Sequence, residues 1–294
     1  MKKTYELIDL ITRNKEEESE NHNLFALKWT IYDQSLHSPL RPENEKQVPR
    51  KYELTSETRE FNGHILHRIR AIKDFKHFFG DNNNFCIKAG TLGGFIENES
   101  NLDHRYGCWV SDDAMVYGGA RVVMDALVYG NAVIYEQACI GGHAHIYDNA
   151  QIYGKAKVCG TAHIYNNAHI YENACIDFRS HVYENAHVYG NAEVGFSHGE
   201  DKPEIYGNAR VYDNAIIEDN ARIYGNAQVY GRARIREKAK VRDNAQACGT
   251  LDLLNDAVLA GDKKLTRGYR DFIGKTKITK FGHFKIIEKI HKVV

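Results

Sequence analysis

The chain has 294 residues, 27% of them charged, and its 39 Lys and Arg balance 39 Asp and Glu to a formal net charge of zero. That length supports a sizeable core, and the neutral balance argues against general nucleic-acid binding. An 18-residue apolar run, as a membrane-spanning helix needs, is missing from the sequence, and its six cysteines, without CxxC spacing, argue against a disulfide framework and suit a reducing cytoplasm.

Residues 1–64 read as an N-terminal extension. Met1–Asp9 lacks an apolar h-region, so the expectation is a cytoplasmic chain. A short helix is predicted near Thr4–Arg13, then the acidic run Glu16–Glu20, an apolar segment around Leu24–Tyr32, and a loop bearing Pro39, Pro42 and Pro49. Ile65–Asp74 alternates like a strand leading into the repeat region.

From Val110 to Val194 an aliphatic residue stands at every sixth position for 15 positions, including Ile134, Ile140, Ile146, Ile152 and Val158. Four residues after most of them comes a small residue, as at Ala132, Ala138 and Ala150. A period of six fits neither a helix nor a simple strand, and marks a repeat architecture. In the unit Ile146-Tyr147-Asp148-Asn149-Ala150-Gln151, alternation turns Ile146 inward and His145 and Tyr147 outward. Asp148-Asn149 then turns the chain. Asn recurs at that second turn position (Asn131, Asn149, Asn167, Asn185, Asn208, Asn226), where its tolerance of positive φ is expected to serve a sharp corner. Three units make a triangular coil, and about eight coils at roughly 4.8 Å spacing give a prism about 40 Å long, the solenoid being 65–261.

The register breaks once, between Val194 and Ile205, so that a loop at 195–204 is extruded, and resumes through Val241 before fading at Ala247, Leu253 and Leu259. Residues 262–294 carry ten Lys or Arg against three acidic residues, with Ile286, Ile287, Ile290, Val293 and Val294 able to line one helix face. This basic segment reads as a cap for the open solenoid end or as a contact for an anionic partner.

The hexads resemble the hexapeptide-repeat superfamily, and Arg70–Phe75, Ala89–Leu102 and Cys108-Trp109-Val110 resemble a bacterial and phage branch of it that carries an acyltransferase label. The resemblance covers about residues 68–260. It implies an all-β fold, a left-handed parallel β-helix, a trimeric homo-oligomer and, for an acyltransferase, CoA or acyl-CoA in a groove beside the coils with a His base on an extruded loop.

Sorting the hexads by phase separates three faces. The first presents Tyr117, Tyr135, Tyr153, Tyr171, Tyr189, Tyr212 and Tyr230. The second presents Tyr129, Tyr147, Tyr165, Tyr183, Tyr206 and Tyr224 beside His145, His163 and His181. The third carries Val123, Gly141, Cys159, Asp177, Gly195, Glu218 and Arg236 instead. Stacked tyrosines reinforce a sheet or serve as an interface. Three histidines in a line offer no convergent tetrahedral site, so no metal is expected.

Two functions stay open. In the first, a non-catalytic binding or scaffold protein presents its faces to a protein partner or a small anionic, nucleotide-type ligand, with Gly141, Cys159, Asp177, Gly195, Tyr135, Tyr153 and Tyr171 as ligand-binding candidates. In the second, an O- or N-acyltransferase uses His198 as general base, oriented by Glu200 or Asp201, with the third face as one wall of the CoA groove. The same smooth third face also suits a second segment of polypeptide, which would leave no groove. Association with a membrane is not expected.

Overall fold

The computed structural model describes residues 48–78, 84–196 and 202–267. The chain divides into two compact units, Met1–Val48 and Pro49–Val294, and the described residues other than Val48 belong to the second. The helix near Thr4–Arg13, the acidic run, the apolar segment at Leu24–Tyr32, and residues 268–294 of the basic C-terminal segment lie outside them.

The second unit is an all-β parallel solenoid of about nine turns. Its strands are two residues long in most units, such as His145–Ile146, Gln151–Ile152 and Lys157–Val158, each followed by a turn. They assemble into sheets of 12, 9 and 8 strands, which carry the first, second and third faces respectively. Like stacks on like, since Ile152 pairs in register with Ile134 above and Ile170 below, and Ile146 with Ile164. The inward aliphatics and the alanines past each corner form one continuous core in which Ile134, Ile146, Ile152, Ala132 and Ala150 are fully buried. Columns of aliphatic side chains fill the prism at every level, so each coil buries its apolar face only when its neighbours are present.

The corners correct one expectation. Asn at the second turn position does not take the positive φ; the residue before it does, as at Gly130 (φ 67), Asp148 (φ 55), Asn166 (φ 54) and Glu184 (φ 57). The turn is closed from Ala150 N–H to Tyr147 C=O at 3.3 Å, so the left-handed residue is the first of its two central positions. The Asn side chains instead bond along the solenoid axis. Asn131 Nδ2 donates to Asn149 Oδ1 (3.2 Å), Asn149 to Asn167 (3.2 Å), Asn167 to Asn185 (3.1 Å) and so on until Asn244 reaches the Asp262 carboxylate at 2.8 Å. The acidic corner residues cap the next coil, Glu136 Oε2 accepting from Gly154 N–H at 2.8 Å and Glu172 from Gly190 at 3.0 Å.

The N-terminal end is closed by antiparallel structure. Strands β1 (Tyr52–Phe61) and β2 (His64–Ala71) form a hairpin through Asn62-Gly63, both at positive φ. β2 pairs antiparallel with β5 (Leu92–Ile96), and β5 pairs parallel with the coil strand Met115–Val116. A second hairpin joins β3 (Phe75–Phe78) to β4 (Asn84–Ile87). At the other end Lys264–Arg267 adds a last parallel strand to the first sheet. Across the break after Val194 the second sheet keeps its register, with His181 opposite Glu204 and Val182 opposite Ile205, while on the third face the strand runs on to Phe196, opposite Glu218, with a register shift between Val194 and Phe196.

Candidate functional site

On the first face the seven tyrosines from Tyr117 to Tyr230 stack in one column at centroid separations of 4.8–5.4 Å. The six on the second face stack at 4.9 Å with planes within 6° of parallel. Each ring face therefore meets the next ring, and solvent meets only edges and hydroxyls. A second contact runs diagonally, from the outward residue after one core aliphatic to the outward residue before the next coil's. It makes the edge-on pairs Tyr147–His163, Tyr165–His181, Tyr153–His169 and Tyr171–His187 at 6.1–6.4 Å. Farther along it gives Tyr212 Oη to Gln228 Oε1 at 3.2 Å and Tyr230 Oη to Gln246 Oε1 at 3.1 Å. Burial among these rings pushes the phenols of Tyr129, Tyr135, Tyr171 and Tyr212 up to about 12.

The histidines are stacked as well, His145 on His163 and His163 on His181 at 4.9 Å, and His169 on His187 at 4.8 Å. The two ends of the first column are occupied. The first hairpin sets Phe61, His64 and the Asn62 amide against Tyr117, and the Lys264 ammonium sits 5.6 Å from the Tyr230 ring. The second hairpin sets His77 edge-on to His145 at 6.2 Å.

The third face brings Gly141, Cys159, Asp177 and Gly195 into one lateral ladder, Gly141 N–H donating to Val158 C=O, Cys159 to Ile176 and Asp177 to Val194, each at 2.9 Å. Burial, then the Asp177 carboxylate and the Cys175 thiol, holds the Cys159 thiol well above its ordinary range, so it stays protonated at neutral pH. Gly195 has φ 131 and packs so closely on the coil above that a Cβ would lie 2.2 Å from Asp177 O. Lower on this face the charges pair along the same diagonal. Arg234 meets the nearly buried Glu218 at 2.5 and 3.0 Å, and Arg236 meets Asp252 at 3.1 Å through two bonds. Tyr135, Tyr153 and Tyr171 stand on a different sheet from this ladder, so the candidate ligand-binding residues form two groups on two faces. His198, Glu200 and Asp201 lie outside the described residues.

One cluster escaped the sequence reading. Lys51 is 1% exposed at the N-terminal end, and its Nζ donates to Tyr106 O at 2.6 Å, Cys108 O at 2.8 Å and Cys108 Sγ at 3.3 Å. Tyr52 beside it is fully buried, donates to Leu102 O at 2.8 Å, and stacks on His104 at 4.2 Å. Burial pushes the Tyr52 phenol and the Cys108 thiol up, and burial together with Lys51 holds the His104 imidazole down. The phenol and the thiol are thereby kept protonated and the imidazole neutral, and the Lys51 side chain ties the hairpin to the first coil's carbonyls. The sequence offered no signal for a buried lysine there, because Lys51 falls outside the repeat. Among the described residues there is no group of three His, Cys, Asp or Glu side chains that could hold a metal ion, and no helix long and apolar enough to cross a membrane.

Three parallel sheets wound around one aliphatic column define a β-helix repeat protein. Residues 205–219 match the family model described as the YdcK β-solenoid repeat. No curated protein matches the chain.

Proposed function

We propose that the chain is a non-catalytic binding or scaffold protein that holds a protein partner or a small anionic ligand in a fixed position along a rigid prism. The observation that carries this reading is the use of the outward side chains. Rings, imidazoles, amides and ion pairs on successive coils satisfy one another along two directions, so the surface is stiff and self-complementary. Catalysis asks for the opposite, groups whose protonation is poised near the working pH, whereas the Cys159 and Cys108 thiols are pushed away from it.

The test is native mass spectrometry of the full chain purified from its host, with and without added acyl-CoA. A ligand or partner held at fixed stoichiometry, together with no uptake of acyl-CoA, is the expected result. Saturable uptake followed by release of free CoA, lost on His198→Ala, overturns the reading in favour of acyl transfer.

A further inference from the structure

Histidines are unevenly placed along the prism. His145, His163, His169, His181 and His187 fall within the coils from His145 to Val188, whereas residues 204–253 contain none. In the middle coils they form two columns. On the second face His145, His163 and His181 stack at 4.9 Å, with Tyr129, Tyr147 and Tyr165 edge-on to them and His77 edge-on to the top ring. On the first face His169 stacks on His187 at 4.8 Å, edge-on to Tyr153 and Tyr171. The strands that carry these rings point Ile146, Ile164, Val182, Ile170 and Val188 inward, so no charge reaches them from the core side.

Among the described residues, the charges that act on His169, His181 and His187 are occupied or of positive sign. Glu204 stands in register with His181, but Arg222 binds it at 2.9 Å and Lys202 lies 3.6 Å away. Arg210 stands in register with His187 and Gln151 with His169. Asp125 acts on His77 at the top of the second-face column, where His143 and Lys51 oppose it. Protonation of His181, or of His169 and His187 together, therefore places positive charge on rings already in stacking contact, with no carboxylate of the described residues to offset it.

We infer that the histidine columns make the coils from His145 to Val188 an acid-opened segment, while the histidine-free coils from Glu204 to Leu253 stay closed. Protonated rings turn out to solvent, the Tyr edges they covered are released, and the short strands beneath lose their side-chain cover. The direction agrees with the titration of the rings. Burial first, then His163 and Lys202, pulls His181 down to about 4, and burial also lowers His169 and His187. The folded chain thus binds fewer protons than the unfolded one between pH 6.5 and about 4. Stability carried by these rings is complete above that window and is lost as pH falls through it.

The experiment is amide hydrogen exchange on the full chain at pH 7 and pH 4.5, corrected for intrinsic exchange. Amides of residues 145–188 are expected to lose protection at least tenfold more than those of 205–247, and His163→Gln with His181→Gln is expected to reduce that difference. Equal loss in both regions, or an undiminished difference in the double variant, overturns the inference. Should the variant not fold, imidazole titration by NMR on the unaltered chain decides, since midpoints at or above the ordinary histidine value for His169, His181 and His187 would also overturn it.

Discussion

Replacing Tyr153 with Ala separates a structural ladder from a presented one. Tyr153 lies between Tyr135 at 4.8 Å and Tyr171 at 5.0 Å, with His169 edge-on at 6.4 Å. Aromatic pairs are worth about 0.5–1.5 kcal/mol each, and the half-buried setting favours the lower half of that range. Three lost contacts then amount to roughly 2 kcal/mol. With a urea m-value near 3 kcal/mol per molar for a chain this size, the midpoint falls by about 0.7 M at unchanged m. Lys155→Ala, at the exposed corner two residues further along the same coil, is the control and stays within about 0.5 kcal/mol of the parent. Urea titration followed by far-ultraviolet circular dichroism reads both. A Tyr153→Ala midpoint indistinguishable from the control refutes the argument. The stacked rings would then contribute nothing to the fold, and Tyr135, Tyr153 and Tyr171 would return as a surface kept for a ligand.

Next to it, Ile152→Asp puts a carboxylate between Ile134 and Ile170 in a fully buried column and should abolish the folded β spectrum; a folded, cooperatively melting variant would reverse the inward assignment. Gly154→Ala forces a Cβ to 2.6 Å from the Glu172 amide nitrogen at φ +71, and should cost about 2–4 kcal/mol from left-handed strain plus the clash, read as a lower urea midpoint. Lys51→Met strands the carbonyls of Tyr106 and Cys108, with an expected cost of about 2–4 kcal/mol and faster alkylation of Cys108; labelling as slow as in the parent argues that the hairpin holds without the clamp. Cys159 in the folded chain should resist iodoacetamide at pH 8 and react on unfolding, because burial and Asp177 keep it protonated.

The solenoid was legible because period six forces both the inward column and the corners. The interior has one solution, and Ile152 above Ile170 is already implied by their spacing. The caps obey no period. Asn62-Gly63 between the alternating runs Tyr52–Phe61 and His64–Ala71 was a hairpin signal of the strongest kind, yet it fell inside what read as an irregular extension. Corner geometry failed for a different reason. The closing bond from Ala150 to Tyr147 is the same whichever central residue is left-handed, so residue preference alone pointed to Asn149, whereas the positive φ falls on Asp148 before it. Columns of tyrosine were readable by phase, but the diagonal that seats His169 against Tyr153 depends on how the outward side chains lean across coils that are in register, which spacing alone does not contain.

That diagonal bears on what the surface can recognise. Along each face a side chain has one neighbour in register on the next coil and another two residues earlier, and the same geometry seats ring on imidazole, phenol on amide, and guanidinium on carboxylate. Residues so engaged are expensive to redirect toward a ligand, because any new contact must first break two existing ones. At the corner beside the second face the axial amide chain is directional, each Asn Nδ2 donating to the Oδ1 of the next coil until the Asp262 carboxylate accepts the last hydrogen bond, from Asn244. Aligned dipoles of this kind stiffen the rod and add no free carboxylate or ammonium to it. A partner that binds such a prism must therefore fit its shape and the outer edges of its ladders. Substitutions at single outward positions should then weaken binding only slightly, whereas loss of a whole column should abolish it.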